Sequence, residues 1–272
     1  MSFAFIQEVQ DIARRAGAAI LEVYHREEGI EVQQKEDQSP LTLADQAANR
    51  VICEGLEQLP TVYPIVSEEN KAIPYEQRKG YPYYWLVDPL DGTKEFIKRN
   101  GEFTVNIALI HEQRPVVGVV YVPVKDEMYW AVEGEGAYLQ KSLAASPQKL
   151  QVGDFKPQLN GLRIVCSRSH LNAATEKYVA QFDQPELVPR GSSLKFLIIA
   201  EGEAQVYPRL APTMEWDTGA AQIILEEAGG AVLQAHQAIP LQYNKPNLLN
   251  PSFIAFGHLK EMGEAPLIKE TE

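Results

Sequence analysis

The run WLVDPLDGTKEF (85–96) ends an apolar stretch with two carboxylates, Asp88 and Asp91, three positions apart. Pro89 restricts the chain between them, and Gly92 permits unusual φ and close backbone approach. Thr93 is placed to cap a short helix through Lys94, Glu95 and Phe96. Two carboxylates on one tight turn suit a hard divalent cation. The free amides at a helix start suit a phosphate. Taken alone, Asp-Gly-Thr is also a common turn, because Asp and Gly favour turns for local reasons.

Other acids end apolar runs elsewhere. VSEEN (66–70) places Glu68 and Glu69 after a second strand-like run. EWDTGAAQIILEEAGG (215–230) opens a helix with Glu215, Trp216 and Asp217, where Asp217 by itself reads as an N-cap. Asp45, in SPLTLADQAANR (39–50), by itself reads as an early-turn acid favoured by the helix dipole. Each has a local explanation. Their convergence on one cleft would make a metal centre.

The elements that must position these acids follow from periodicity. Phe5, Val9, Ile12, Ala13, Ala16, Ala19, Ile20 and Val23 recur at helical spacing, which predicts a helix over 3–25. A second helix is predicted over 42–59, after Ser39-Pro40. Short β-rich runs follow at 63–67, 83–87, 104–110, 116–122 and 128–132, with a turn at 134–138 leading into another strand. Asp88 then falls at the carboxyl end of a strand, where ligands bind in sheet proteins. The polar stretch 141–161 reads as a boundary, dividing an N-terminal α+β domain (1–155) from a C-terminal α/β domain (156–272). In the second part strands at 162–167, 186–190, 204–208, 231–234 and 253–257 alternate with helices at 171–181, 192–201 and 216–228, an α/β pattern.

With 272 residues, 45% hydrophobic and 23% charged, the chain can bury a large core in one or two domains. A net charge of -12 argues against nucleic acid polymers and anionic membranes as partners through bulk charge. Cys53 and Cys166 lie far apart without metal-type spacing, which argues against a disulfide or a zinc site and fits a reducing cytoplasm. The N-terminus has no basic region and carries Glu8 and Asp11 early, unlike a signal peptide. No run approaches the roughly 20 apolar residues of an integral membrane segment. Peripheral association with the cytoplasmic face of the inner membrane stays open.

The ordered set P-x-T-x-x-D, E-E, D-P-L-D-G-T and W-D with a downstream E-A-G-G resembles the inositol monophosphatase superfamily, over about Phe5 to Gly230. These are magnesium-dependent, lithium-inhibited phosphatases. The resemblance implies a layered αβαβα sandwich of mixed α+β and α/β character. It implies that Glu68, Asp88 and the Leu90 carbonyl bind Mg²⁺, with Asp91 and Asp217 completing a second metal position, for two or three ions in all. Asp45 and Thr93 would orient and deprotonate a water, and the amides of Gly92 and Thr93 would hold the scissile phosphate. Glu69 reads either as a base behind Glu68 or as its exposed neighbour. Clustered carboxylates repel one another and raise their own pKa values, and magnesium removes that cost. The family often reads W-D-x-A-A-G where this chain has WDTGAA, a change confined to helix packing.

GTKEF (92–96) looks like the bacterial 3'(2'),5'-bisphosphate nucleotidase subgroup, in which a nucleotide bisphosphate replaces an inositol phosphate as substrate. CSRSH (166–170), GSSLKF (191–196) and YPR (207–209) match that subgroup at His170, Ser192, Lys195 and Arg209. Their local alternatives are a loop histidine, a helix cap and a solvated lysine. Their chemistry suits a second phosphate and a base. The implied activity is release of the 3'-phosphate from 3'-phosphoadenosine 5'-phosphate, a by-product of sulfate assimilation. An inositol monophosphatase or broader sugar phosphatase is the alternative within enzymes, and a non-catalytic metal or nucleotide sensor is the alternative outside them. Both a monomer and a homodimer are compatible with the sequence.

Overall fold

The computed structural model describes residues 5–26, 32–34, 40–168, 172–260 and 265–268. Its helices are α1 (Ile6–Tyr24), α2 (Leu43–Glu57), α3 (Tyr75–Arg78), α4 (Thr93–Ile97), α5 (Ala173–Val179), α6 (Leu194–Ala200) and α7 (Gly219–Glu227). A short antiparallel pair, β1 (Val32–Gln34) and β2 (Pro40–Thr42), precedes α2. Among the described residues a seven-stranded sheet follows chain order: β3 (Ile65–Ser67), β4 (Tyr83–Asp91), β5 (Thr104–His111), β6 (Arg114–Val122), β7 (Glu127–Val132), β8 (Gly136–Gln140) and β9 (Gln148–Lys149). After β10 (Asp154–Phe155) come β11 (Arg163–Ser167), β12 (Glu186–Arg190), β13 (Val206–Arg209), β14 (Ala231–Gln234), β15 (Phe253–Phe256) and β16 (His258–Leu259). A five-stranded sheet takes the order β12-β11-β13-β15-β14, and β10 pairs with β16.

Period-two alternation sorts side chains into layers. On β4, Trp85 and Val87 join the core under α1 and α2, while Tyr84 and Leu86 join the core between the sheets. On β13, Tyr207 faces that middle core and Val206 faces a third one with Tyr178 of α5. Helix α1 packs on β5 and β6, and α2 on β4. Helices α6 and α7 lie together between the sheets, and α5 covers β13 from outside. The result is the expected αβαβα sandwich.

Helix α7 is apolar nearly all round, with Ala220, Ala221, Ile223, Ile224 and Leu225 buried, as a helix between two sheets must be. It rests directly on β6: a Cβ added at Gly118 would lie 2.4 Å from the Ala220 carbonyl oxygen. Gly219, one of the two residues that depart from the family pattern, begins α7 close against Leu86 and Ala108.

Four local expectations change. Strand β4 continues past Asp88 to Asp91, with a register shift between them against β5. Pro89 has no N–H for the ladder, so the strand bulges there rather than ending. The cap of α4 is Gly92, at φ +95°, and Thr93 is the first helical residue. The helix predicted over 216–228 is a 3-10 turn, Glu215–Asp217, followed by α7. The polar stretch 141–161 holds β9, which closes the first sheet, and β10. Among the described residues no helix is long and apolar enough to cross a membrane.

Candidate active site

Asp45 is placed by a helix cap. Thr42 caps α2, and Asp45 three residues on completes a capping box. Asp45 Oδ2 accepts from the Thr42 amide at 2.7 Å and from the Thr42 hydroxyl at 2.6 Å. Its other oxygen, Oδ1, accepts from the Thr93 hydroxyl at 3.3 Å. That hydroxyl also lies 3.4 Å from the Leu90 carbonyl. The early-turn reading of Asp45 is therefore correct and incomplete: one oxygen serves the helix and the other faces Thr93.

The β4 bulge turns Asp88 and Asp91 into one cleft. Asp88 is buried and its Oδ1 accepts the Leu90 amide at 3.0 Å. Burial pushes its carboxyl well above the usual carboxylate range, and the charges of Glu68, Asp91, Asp217 and Asp45 push the same way. Asp91 is held from across the molecule. Its Oδ2 accepts from Ser192 Oγ at 2.7 Å and from Ser193 Oγ at 3.0 Å. Thr104 and Asn106, buried on β5, bond these serines at 2.6 Å and 2.9 Å respectively. Ser192 holds this position at φ +49°, so it does not cap α6 as the sequence suggests.

Asp217 ends the 3-10 turn, and its Oδ2 accepts the Met214 amide at 2.9 Å. Burial raises its carboxyl, with Asp91 the next largest cause. Carboxylate oxygens of Asp88, Asp91 and Asp217 lie within 4.8 Å of one another. Glu68 and Leu90 line the same cavity as these three, together with Gly92 and Thr93. Carboxylates this close and this buried are mutually repelling, and oxygen donors in such a cluster fit a hard divalent cation.

A second cavity, of about 260 Å³, shares the wall formed by Asp91, Gly92 and Asp217. Its cations are Lys195, Arg209, Arg190 and Lys94. Lys195 is partly buried, donates to the Ser192 carbonyl at 2.6 Å and sits 5.7 Å from the Tyr207 ring centroid. Burial lowers its pKa to about 8, against the opposing pull of Asp91. Lys195 is therefore no solvated face residue. Arg209 donates to the Pro212 carbonyl at 2.7 Å, and its buried Nε has no partner among the described residues.

Of the residues singled out in the sequence, Glu68, Asp88, Leu90, Asp91, Gly92, Thr93 and Asp217 meet around one cavity, with Asp45 behind Thr93. Ser192, Lys195 and Arg209 line the adjoining one. Glu69 lines neither. His170 lies outside the described residues. Sequence reasoning missed Thr104, Asn106, Ser193 and Arg190. The polar pair in the otherwise apolar TVNIALI was the available signal for the first two.

Residues 4–268 match the inositol monophosphatase family, and the chain belongs to it. It is 46% identical to the 3'(2'),5'-bisphosphate nucleotidase CysQ of Salmonella typhimurium, over 91% of this chain and 98% of that protein. The same identity and coverage hold for the nucleotidase CysQ of Escherichia coli strain K12. The crystal structure of CysQ from Bacteroides thetaiotaomicron superposes with a TM-score of 0.82 at 44% identity, covering 92% of this chain and 96% of that one. The suhB protein of Bartonella henselae shares the fold, with a TM-score of 0.76 at 23% identity. Proteins of this family are metal-dependent, in keeping with the carboxylate cluster.

Proposed function

We propose that the protein is a Mg²⁺-dependent 3'(2'),5'-bisphosphate nucleotidase. It converts 3'-phosphoadenosine 5'-phosphate to AMP and phosphate in the cytoplasm, clearing a by-product of sulfate assimilation. The observation that carries this reading is the wall shared by an acidic cavity and a cationic one. A bisphosphate engages both at once. An inositol monophosphate would leave Lys195 and Arg209 without an anion.

In this reading Glu68, Asp88, Asp91 and Asp217, with the Leu90 carbonyl, hold two or three magnesium ions. When bound, magnesium acidifies water and offsets charge on the phosphate and the leaving oxygen. The amides of Gly92 and Thr93 hold the scissile phosphate. The Thr93 hydroxyl orients the attacking water, accepts its proton and passes its own to Asp45. A bond forms from the water oxygen to phosphorus as the bond to the ribose 3'-oxygen breaks. That oxygen stays on AMP and takes a proton from solvent. Ser192, Lys195 and Arg209, with His170, bind the second phosphate and the nucleoside.

Phosphate release is measured on 3'-phosphoadenosine 5'-phosphate and inositol 1-phosphate, with and without Mg²⁺ and Li⁺. The expected result is preference for the nucleotide, dependence on Mg²⁺ and inhibition by Li⁺. Better turnover of inositol 1-phosphate would overturn the assignment.

A further inference from the structure

The Glu215 carboxylate is fully buried two residues from Asp217, yet it faces away from the cleft. It accepts the amides of Asn244 at 2.7 Å and Lys245 at 3.1 Å, and the Lys245 ammonium at 2.5 Å. The same loop returns to the turn through its backbone. The Glu215 amide donates to the Leu248 carbonyl at 2.9 Å, and Met214 bridges to Leu249. The Asn250 side-chain amide donates to the Met214 carbonyl at 2.8 Å and to the Thr218 hydroxyl at 3.0 Å. So residues 244–250 wrap the 3-10 turn, with Glu215 held behind it and Leu249 reaching the cavity wall.

The loop is itself fixed from a third element. Arg78, buried at the end of α3, donates to Asn244 Oδ1 at 2.8 Å and to the carbonyls of Lys245 and Pro246 at 2.6 Å and 3.0 Å. Asn244 returns a bond to the Arg78 carbonyl at 2.8 Å. A buried ion pair is seldom the best way to stabilise a fold, because desolvation offsets its attraction. What it does supply is one defined geometry. Here that geometry belongs to the Met214 amide, which fixes Asp217 Oδ2.

We infer that Glu215 and Lys245 are positioning residues that hold Asp217 in its metal-binding orientation, with Arg78 anchoring the loop that encloses them. The inference rests on Asp217 being a metal ligand. The pair reaches neither substrate nor the reacting atoms.

The test is Mn²⁺ binding, read from the electron spin resonance signal of the free ion. It compares the intact protein, Asp217→Asn, Glu215→Gln, and the double variant Glu215→Leu with Lys245→Met. The double variant removes both charges together, so neither is left buried without its partner. The expected result is at least a fivefold rise in the Mn²⁺ dissociation constant for both Glu215 variants. The half-saturating Mg²⁺ for activity should rise by a similar factor, with KM for the nucleotide unchanged at saturating Mg²⁺. Native Mn²⁺ affinity in either cooperatively unfolding Glu215 variant would overturn the inference. Native affinity in Asp217→Asn would instead overturn the ligand assignment beneath it.

Discussion

Asp45 divides its two oxygens between tasks. Oδ2 closes the capping box with Thr42 and Oδ1 faces the Thr93 hydroxyl. A neutral amide at this position keeps an acceptor for the Thr42 amide but no longer takes a proton. Asp45→Asn is therefore expected to lower kcat by about 10²- to 10⁴-fold, the usual range for loss of a general base. KM and the unfolding temperature should change little. Steady-state kinetics on 3'-phosphoadenosine 5'-phosphate, with a thermal melt, would check it. A comparable fall in stability would place Asp45 in the helix cap alone.

Among the elements, the contact of α7 with β6 is the least forgiving. Gly118 faces the α7 backbone, with Ala220 O and the Ile223 side chain within 2.5 Å of where a Cβ would stand. Relief requires α7 to move, and α7 follows directly on the turn that carries Asp217. Gly118→Val should cost about 1–3 kcal/mol or more, the range for overpacking, and weaken Mg²⁺ dependence along with it. Denaturant unfolding and Mg²⁺-dependent phosphate release read the two effects.

The elements themselves were largely legible. Alternation in YYWLV and TVNIALI and helical spacing in the first 25 residues follow from burial, which is local in its demands. The carboxylates were legible because each ends a strand or opens a helix. The bulge at Pro89 and the left-handed Ser192 were not, since both depend on what the neighbouring strand or carboxylate requires. Least legible was the clamp around Glu215. Arg78 and Asn244 meet across 166 positions of sequence, and no periodicity relates them.

At the scale of the molecule, the cleft draws its carboxylates from both faces of the seven-stranded sheet, Asp45 from α2 and Asp217 from the turn before α7, and confines their charge. Asp88 and Asp217 have raised pKa values when folded. In the unfolded chain they ionise near the ordinary value of about 4. As pH rises above that value the folded state retains protons that the unfolded state has lost, so the metal-free fold loses stability with rising pH. On the proposed reading, Mg²⁺ taken up by the ionised cluster would offset the loss. The melting temperature without metal should therefore fall between pH 5.5 and 8. The rise on adding Mg²⁺ should grow over the same interval. Differential scanning calorimetry with chelator or Mg²⁺ measures both, and a Mg²⁺ effect independent of pH would contradict the cluster's role.

The same cleft carries its own optical label. Of the chain's three tryptophans, Trp85 is sealed in the core beneath α1 and Trp130 stacks on Tyr138, with ring centroids 5.6 Å apart. Trp216 alone of the three lines the carboxylate cavity, one residue before Asp217. Its indole emission depends on the polarity and charge around it, so filling that cavity with cation or phosphate registers as a change in fluorescence. Occupancy can thus be followed by light, without any turnover taking place.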